Sequence, residues 1–237
     1  EYQLSGWKVT LSDTATTINV SQVKKAVIVP EKRRLKKTAL VGLIKHEIGV
    51  HARRRDTGER SQLKLLGLGL DRYLDDEGVA AYEEQKVTGT EDFAGLSGYL
   101  AISLAMGADG KKRNFREVYD ILENYFIMNG SKPAAAQKSA WGVAFRTFRG
   151  TTGKTRGACF TKDLLYRKGN IGVWHIVKEA ASLKKNVLAG TDGGKDKNSP
   201  SEERRFMVGK YDPSNPRHIL ILDQLGITGQ DLKILSE

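Results

Sequence analysis

Just after residue 30 the hydrophobic pattern of this chain changes period, and that switch constrains the fold more than any other feature. Upstream, "WKVTL", "TINVS" and "AVIVP" are short β-rich runs. The first two are separated by the turn composition "SDTAT", and the third is closed by Pro30, so they read as a small antiparallel sheet. Downstream, Ala39, Leu43, His46 and Val50 recur at helical spacing, which predicts a helix from residue 35 to about 54 with one buried stripe. A second helix is predicted through "DDEGVAAYEEQ", with Asp75 or Asp76 capping it. Others are predicted over 91–106, 114–128, 133–148, 161–166 with an extension through "VWHIVKEAASL", and 201–207. "DTGERSQLKLLGLGL", "GADGKKRN", "NGSKP" and "AGTDGGKDKNSP" read as loops, the last as the mobile one. Strands first and helices after argue an α+β chain with a mainly helical body. Its 237 residues suit one catalytic domain, with 1–30 as the strand region and 35–237 as the helical part.

No apolar run approaches the ~20 residues of a membrane helix. The chain starts at Glu1 without a charged-then-apolar leader and is read as processed or cut there, so any address ahead of it is lost. One cysteine, Cys159, excludes an internal disulfide and a cysteine-based zinc site; it fits a reducing compartment, and the cytoplasm is the expected location. The net charge of +11 is uneven: between Lys24 and Arg55 stand eleven lysines and arginines against two acidic residues. Such a stretch is either a solvated face or a field for an acidic partner. An Asp/Glu-rich peptide fits better than nucleic acid, because no zinc finger, RNP motif or aromatic-interleaved basic strand accompanies it.

Inside the predicted first helix lies "HEIGVH", His46 to His51. Zinc takes neutral imidazoles and carboxylates, and a hydrolytic site uses three protein ligands with one position left for water. Two histidines five apart differ by about 140° around a regular α-helix, against about 40° for four apart. A π-bulge, or unwinding in the last turn, absorbs the extra residue and returns both rings to one side, and Gly49 is the residue best able to accept that distortion. For a third ligand, Glu77 opens the next helix among the small residues Gly78, Ala80 and Ala81, which permit close packing. Glu83 and Glu84 lie two turns on and read as solvent-facing. By itself the pattern leaves a core or surface histidine pair as the alternative to a metal site.

"HEIGVHARR", "EGVA", "ACFTKDLLYRKG" and "FMVGKY" resemble, in that order, the motifs of the microtubule-associated tyrosine carboxypeptidases and their microbial relatives, the flavohaemoglobin expression-modulating QEGLA-motif proteins. "AVIVPE" is similar to the strand that enters that family's zinc helix, and the resemblance runs from about Ala26 to Tyr211. It implies a gluzincin-type metallopeptidase with one Zn2+ held by His46, His51 and Glu77, Glu47 as general base, and a C-terminal tyrosine or other aromatic residue as the one removed. The sequence departs from the family in carrying EGVA for EGLA after Asp75 and Asp76, and in lacking the helical region usually found before the strands.

An oxyanion donor besides the metal is needed, for which Tyr166 and His175 are candidates; a structural role is the alternative for each. A cation for the substrate's terminal carboxylate is expected at Arg149 or Lys162, beside the family-like stretch. Other features are set aside. "GTTGKT" looks like a phosphate loop, but G-x-x-x-x-G-K-[ST] needs a glycine where Phe148 stands and no strand precedes it. Cys159 reads as buried, His218 as a loop or helix-start residue, and Trp141, Phe145 and Phe148 as core. The resulting expectation is a zinc carboxypeptidase acting on a peptide or protein C-terminus. A zinc endopeptidase and a non-enzymatic basic module for an acidic partner are the rivals.

Overall fold

The computed structural model describes residues 4–70, 76–190, 206–212 and 215–227, the side chains of 180–190 excepted. Strands β1 (Lys8–Ser12), β2 (Asn19–Ser21) and β3 (Ala26–Pro30) precede every helix, as the period switch predicts. The sheet is mixed, not antiparallel throughout: β3 lies between β1 and β2, antiparallel to β2 and parallel to β1. Insertion of β3 into the middle is the cause, because β2 turns back on β3 while β1 and β3 run the same way. Ala26 and Val27 bury the central strand, and β2 and β3 rest on the helix that follows.

That helix is one continuous run in three parts. Its α1 is Lys37–Leu43, a nine-residue π-helix spans Ile44–Ala52, and α2 is Arg53–Arg60. Leu43 and Ala52 keep right-handed helical angles at both joins. The predicted loop beginning at Asp56 is therefore helical to Arg60. Arg55 pairs with Glu59 and Arg60 with Asp56 across single turns, and Gly58 is a close-approach residue, since a Cβ there would lie 2.4 Å from the backbone of Leu66 and Gly67. The predicted stripe starts later than expected. Val50 is buried and Leu43 and His46 are half-buried, but Ala39 is exposed because α3 (Asp76–Thr88) ends beside Gly42.

By Cα packing the chain forms two compact units, one of residues 1–92 and 168–237, the other of residues 93–167. In the first, Val50 of the π-helix packs with Val79, Ala80 and Tyr82 of α3, Val173 of α7 (Leu164–Gly190), and Phe206 and Met207. Gln85 fastens α3 to α7: its side-chain oxygen accepts from Asn170 and from the Trp174 indole, each at 2.9 Å. Leu66, Val208 and Tyr211 pack with Leu222 of α8 (Pro216–Gln224) and Ile227. Phe206–Val208 is a short 3₁₀ turn; residues 201–205, Asp75 and the loop 191–200 lie outside the described residues. His218 starts α8 and is buried, with its ring accepting from the Asp212 amide.

The second unit holds α4 (Leu96–Met106), α5 (Phe115–Met128) and α6 (Pro133–Phe148). Helix α4 starts later than predicted because Gly95, at φ +75°, sets its N-cap. Asn114 and Glu117 form a capping box on α5, and Pro133 opens α6. Ala101, Ala105, Ala140 and Ala144 let the helices approach around Val118, Leu122 and Phe148, with Cys159 packed at the margin. Among the described residues, no helix is long and apolar enough to cross a membrane.

Candidate metal centre

The π-helix brings His46 and His51 to one side. Their rings meet edge to face with centroids 5.0 Å apart, and the Nε2 atom of each lies 3.5 Å from one oxygen of Glu77. Ligand atoms of the three residues all fall within 4.8 Å of one another. Two ligands of a tetrahedral zinc, each ~2.0–2.1 Å from the ion, stand about 3.3 Å apart. The spacing and the two-imidazole, one-carboxylate donor set thus fit such an ion.

Each ring is aimed by a carboxylate behind it. His51 donates from Nδ1 to Asp76 at 2.7 Å, and His46 donates from Nδ1 to Glu84 at 3.1 Å, which leaves both Nε2 atoms turned inward. Asp76, expected as a helix cap, is buried; besides His51 it takes Arg54 at 3.1 Å and Lys210 at 3.3 Å. Arg54 is fully buried and also donates to the backbone carbonyls of Gly209 and Tyr211, tying that segment to the histidine helix. Glu84, expected to face solvent, is half-buried against His46. Sequence reasoning missed Asp76, Glu84, Arg54 and Lys210 in these roles. Glu84 had a legible signal: seven residues after Glu77 it returns to the same helix face. Nothing local marks Lys210.

With neutral imidazoles, the carboxylates of Glu47, Asp76, Glu77 and Glu84 exceed the cations Arg54 and Lys210 by two negative charges. Either one divalent cation or two protons balances that excess. Without a metal the histidines take protons. Burial pulls His46 down, but its hydrogen bonds to Glu77 and Glu84 outweigh this and push the ring up to about 9. Burial likewise opposes charge on His51, and the Asp76 and Glu77 carboxylates overcome it, to about 10. Glu77 is held well below the usual carboxylate range: burial opposes ionisation and the two histidines prevail. Glu47 moves the other way, raised chiefly by burial.

The other candidates stand outside this ligand group. His175 is exposed on α7 and does not belong to the His46–His51–Glu77 group. Tyr166, Arg149 and Lys162 belong to the second unit. There the Arg146 guanidinium lies 5.7 Å over the Tyr166 ring, Arg149 pairs with Asp163 at 3.5 Å and stacks 4.2 Å over Phe160, and Lys162 is exposed. Within the basic stretch, Lys25 and Arg55 share Glu59 and Arg54 is internal, while Lys32, Arg33, Arg34, Lys36 and Lys37 remain exposed.

No curated protein and no solved structure matches the chain. A family model described as microtubule-associated tyrosine carboxypeptidase matches residues 4–190, a span holding the sheet, the π-helix, Glu77 and the whole second unit. With most of its length inside that match, the chain belongs to the microtubule-associated tyrosine carboxypeptidase family.

Proposed function

We propose that the chain is a zinc-dependent carboxypeptidase, acting as one catalytic domain over residues 1–237, that removes a C-terminal tyrosine or other aromatic residue from a peptide or protein. The observation that carries this reading is the convergence of His46 and His51 on a single oxygen of Glu77, 3.5 Å from each. Those three residues would hold the ion. When bound, zinc supplies a Lewis acid and lowers the pKa of water towards ~7. Asp76 and Glu84 each hold an imidazole through its Nδ1, so both Nε2 atoms are already turned towards Glu77 and give up their protons when the ion enters.

Glu47 follows His46 directly and carries its carboxylate in the same field without belonging to the ligand group. It accepts a proton from the attacking water and returns it to the leaving amine. Its raised pKa suits that exchange, since a base nearer neutrality both takes and gives a proton readily. Tyr166 and His175 are the proposed oxyanion donors, and Arg149 and Lys162 the proposed partners of the terminal carboxylate. Family membership supports the choice of a C-terminal substrate.

The test is digestion of peptides that vary in their last residue, with free and amidated C-termini, with and without a chelator. Release of a single C-terminal tyrosine from free-ended peptides only, lost with the chelator, is the expected result. Cleavage that persists on amidated peptides makes the protein an endopeptidase. His51→Ala should abolish stoichiometric zinc binding; metal analysis that still finds one zinc per chain removes His51 from the ligand set.

A further inference from the structure

The stretch "GTTGKT" closes one end of a cavity of about 580 Å³ within the second unit, which the proposed chemistry does not use beyond Arg149. The start of α5, the last two turns of α6 and the loop from Gly150 to Lys154 line it. Two large aromatic side chains that read as core in the sequence are open here: Trp141 is 57% exposed and Phe145 60%. Trp141 is nonetheless held in place, edge to face with Phe115 at 5.1 Å and near Tyr119 at 6.4 Å. The cavity thus has a rigid apolar platform facing solvent, the arrangement that gives binding hot spots their energy at low entropic cost.

Its charged lining is wholly basic: Arg116, Arg149 and Lys154, with no acidic side chain among the lining residues. Arg116 pairs with Asp120 and Arg149 with Asp163, while Lys154 has no ion-pair partner among the described residues. Most of the loop's backbone is engaged within the chain. The Gly153 amide donates to Thr151 Oγ1 and the Lys154 amide to Thr152 Oγ1, Thr151 Oγ1 donates to the Phe148 carbonyl, and Gly153 O accepts from the Phe115 amide. Recognition therefore falls to side chains, namely an aromatic platform rimmed by cations.

We propose that this cavity is a docking site for an internal acidic segment of a protein substrate, taking a large apolar side chain against Trp141 and Phe145 with a flanking carboxylate on Lys154. Charge complementarity selects an anionic occupant. A peptide is favoured over single-stranded nucleic acid because two of the three lining cations are already paired, leaving too little unpaired charge to track a phosphate backbone. The choice of a protein substrate rests on the peptidase reading above; the site itself does not.

The experiment is fluorescence anisotropy with a labelled, C-terminally amidated peptide carrying one leucine or phenylalanine among Asp and Glu residues. A lysine-substituted peptide and a single-stranded oligonucleotide serve as comparisons, and turnover of a free-ended peptide is measured in parallel. The acidic peptide should bind, and Trp141→Ala and Lys154→Glu should each weaken it about tenfold or more. Phe145→Ala, at an exposed position, supplies a second variant should Trp141→Ala unfold on a thermal melt. Glu47→Gln should bind the peptide as the wild type does. Equal binding of the lysine peptide, tighter binding of the oligonucleotide, or unchanged affinity in Lys154→Glu and the folded aromatic variant overturns the inference. Lost docking with intact turnover sinks this site alone, whereas lost turnover with intact docking sinks the peptidase reading alone.

Discussion

Gly142 and Gly78 both sit inside helices, one in each unit, and they differ in everything else. A Cβ on Gly142 of α6 meets nothing within 4 Å, whereas one on Gly78 of α3 would lie 2.2 Å from the backbone carbon of Gly169. The contrast extends to the units around them. The second unit follows local rules: α-helices, a capping box, a proline at a helix start, an alanine-rich core, and ion pairs near the surface such as Arg156–Glu117 and Arg113–Asp109. The first unit breaks those rules around one place. It bends a helix into π geometry, buries Arg54, Asp76 and Lys210 together, and lets two helix backbones touch. Departures of this kind, concentrated in one region, mark where structure serves chemistry at the expense of stability.

Four tests bear on that contrast. Glu47→Gln has the largest expected effect: turnover should fall by about 10²–10⁴, the range for a lost general base, with zinc content unchanged on metal analysis. Full activity in that variant removes Glu47 from the mechanism. Next, Asp76→Asn should weaken zinc about 10–100-fold by loosening His51, measured by competition with a chromophoric chelator. Glu84→Gln should lie at the low end, because its side chain is 39% exposed against 5% for Asp76. Equal effects would mean that burial does not govern how firmly each ring is held.

Third, Gly78→Ala should destabilise by about 1–3 kcal/mol on chemical denaturation, the usual cost of forcing a methyl into a packed interface. A neutral result would show that α3 and α7 can move apart freely. Smallest is Gly142→Ala, which should stabilise by about 0.4–1 kcal/mol, since its helix has room and the unfolded chain loses freedom. If Gly142→Ala instead destabilises, the second unit is not governed by local helix rules.

Much of this was legible in the sequence. The helical spacing around Trp141, the proline at 133 and the asparagine at 114 act within one or two turns, so α5 and α6 fall where their residues predict. Reading those aromatics as core succeeded for Phe148 and failed for Trp141 and Phe145, because periodicity identifies a face without saying whether another element covers it. The fourth residue between the histidines also carried its own solution, since only a non-α geometry brings both rings to one side, and the π-helix over Ile44–Ala52 does so.

The sequence by itself determined the order of elements, the irregular histidine helix and a carboxylate at the head of the next helix, all matters of spacing along one chain. Tertiary structure alone decided that Asp76 aims His51, that Glu84 turns from solvent to His46, that Arg54 reaches carbonyls beyond residue 200, and that β3 inserts between its two predecessors. The physical reason is range. Helical period and capping are satisfied within a few residues, whereas a buried charge finds its partners wherever packing brings a counter-charge close, and no local pattern records that distance.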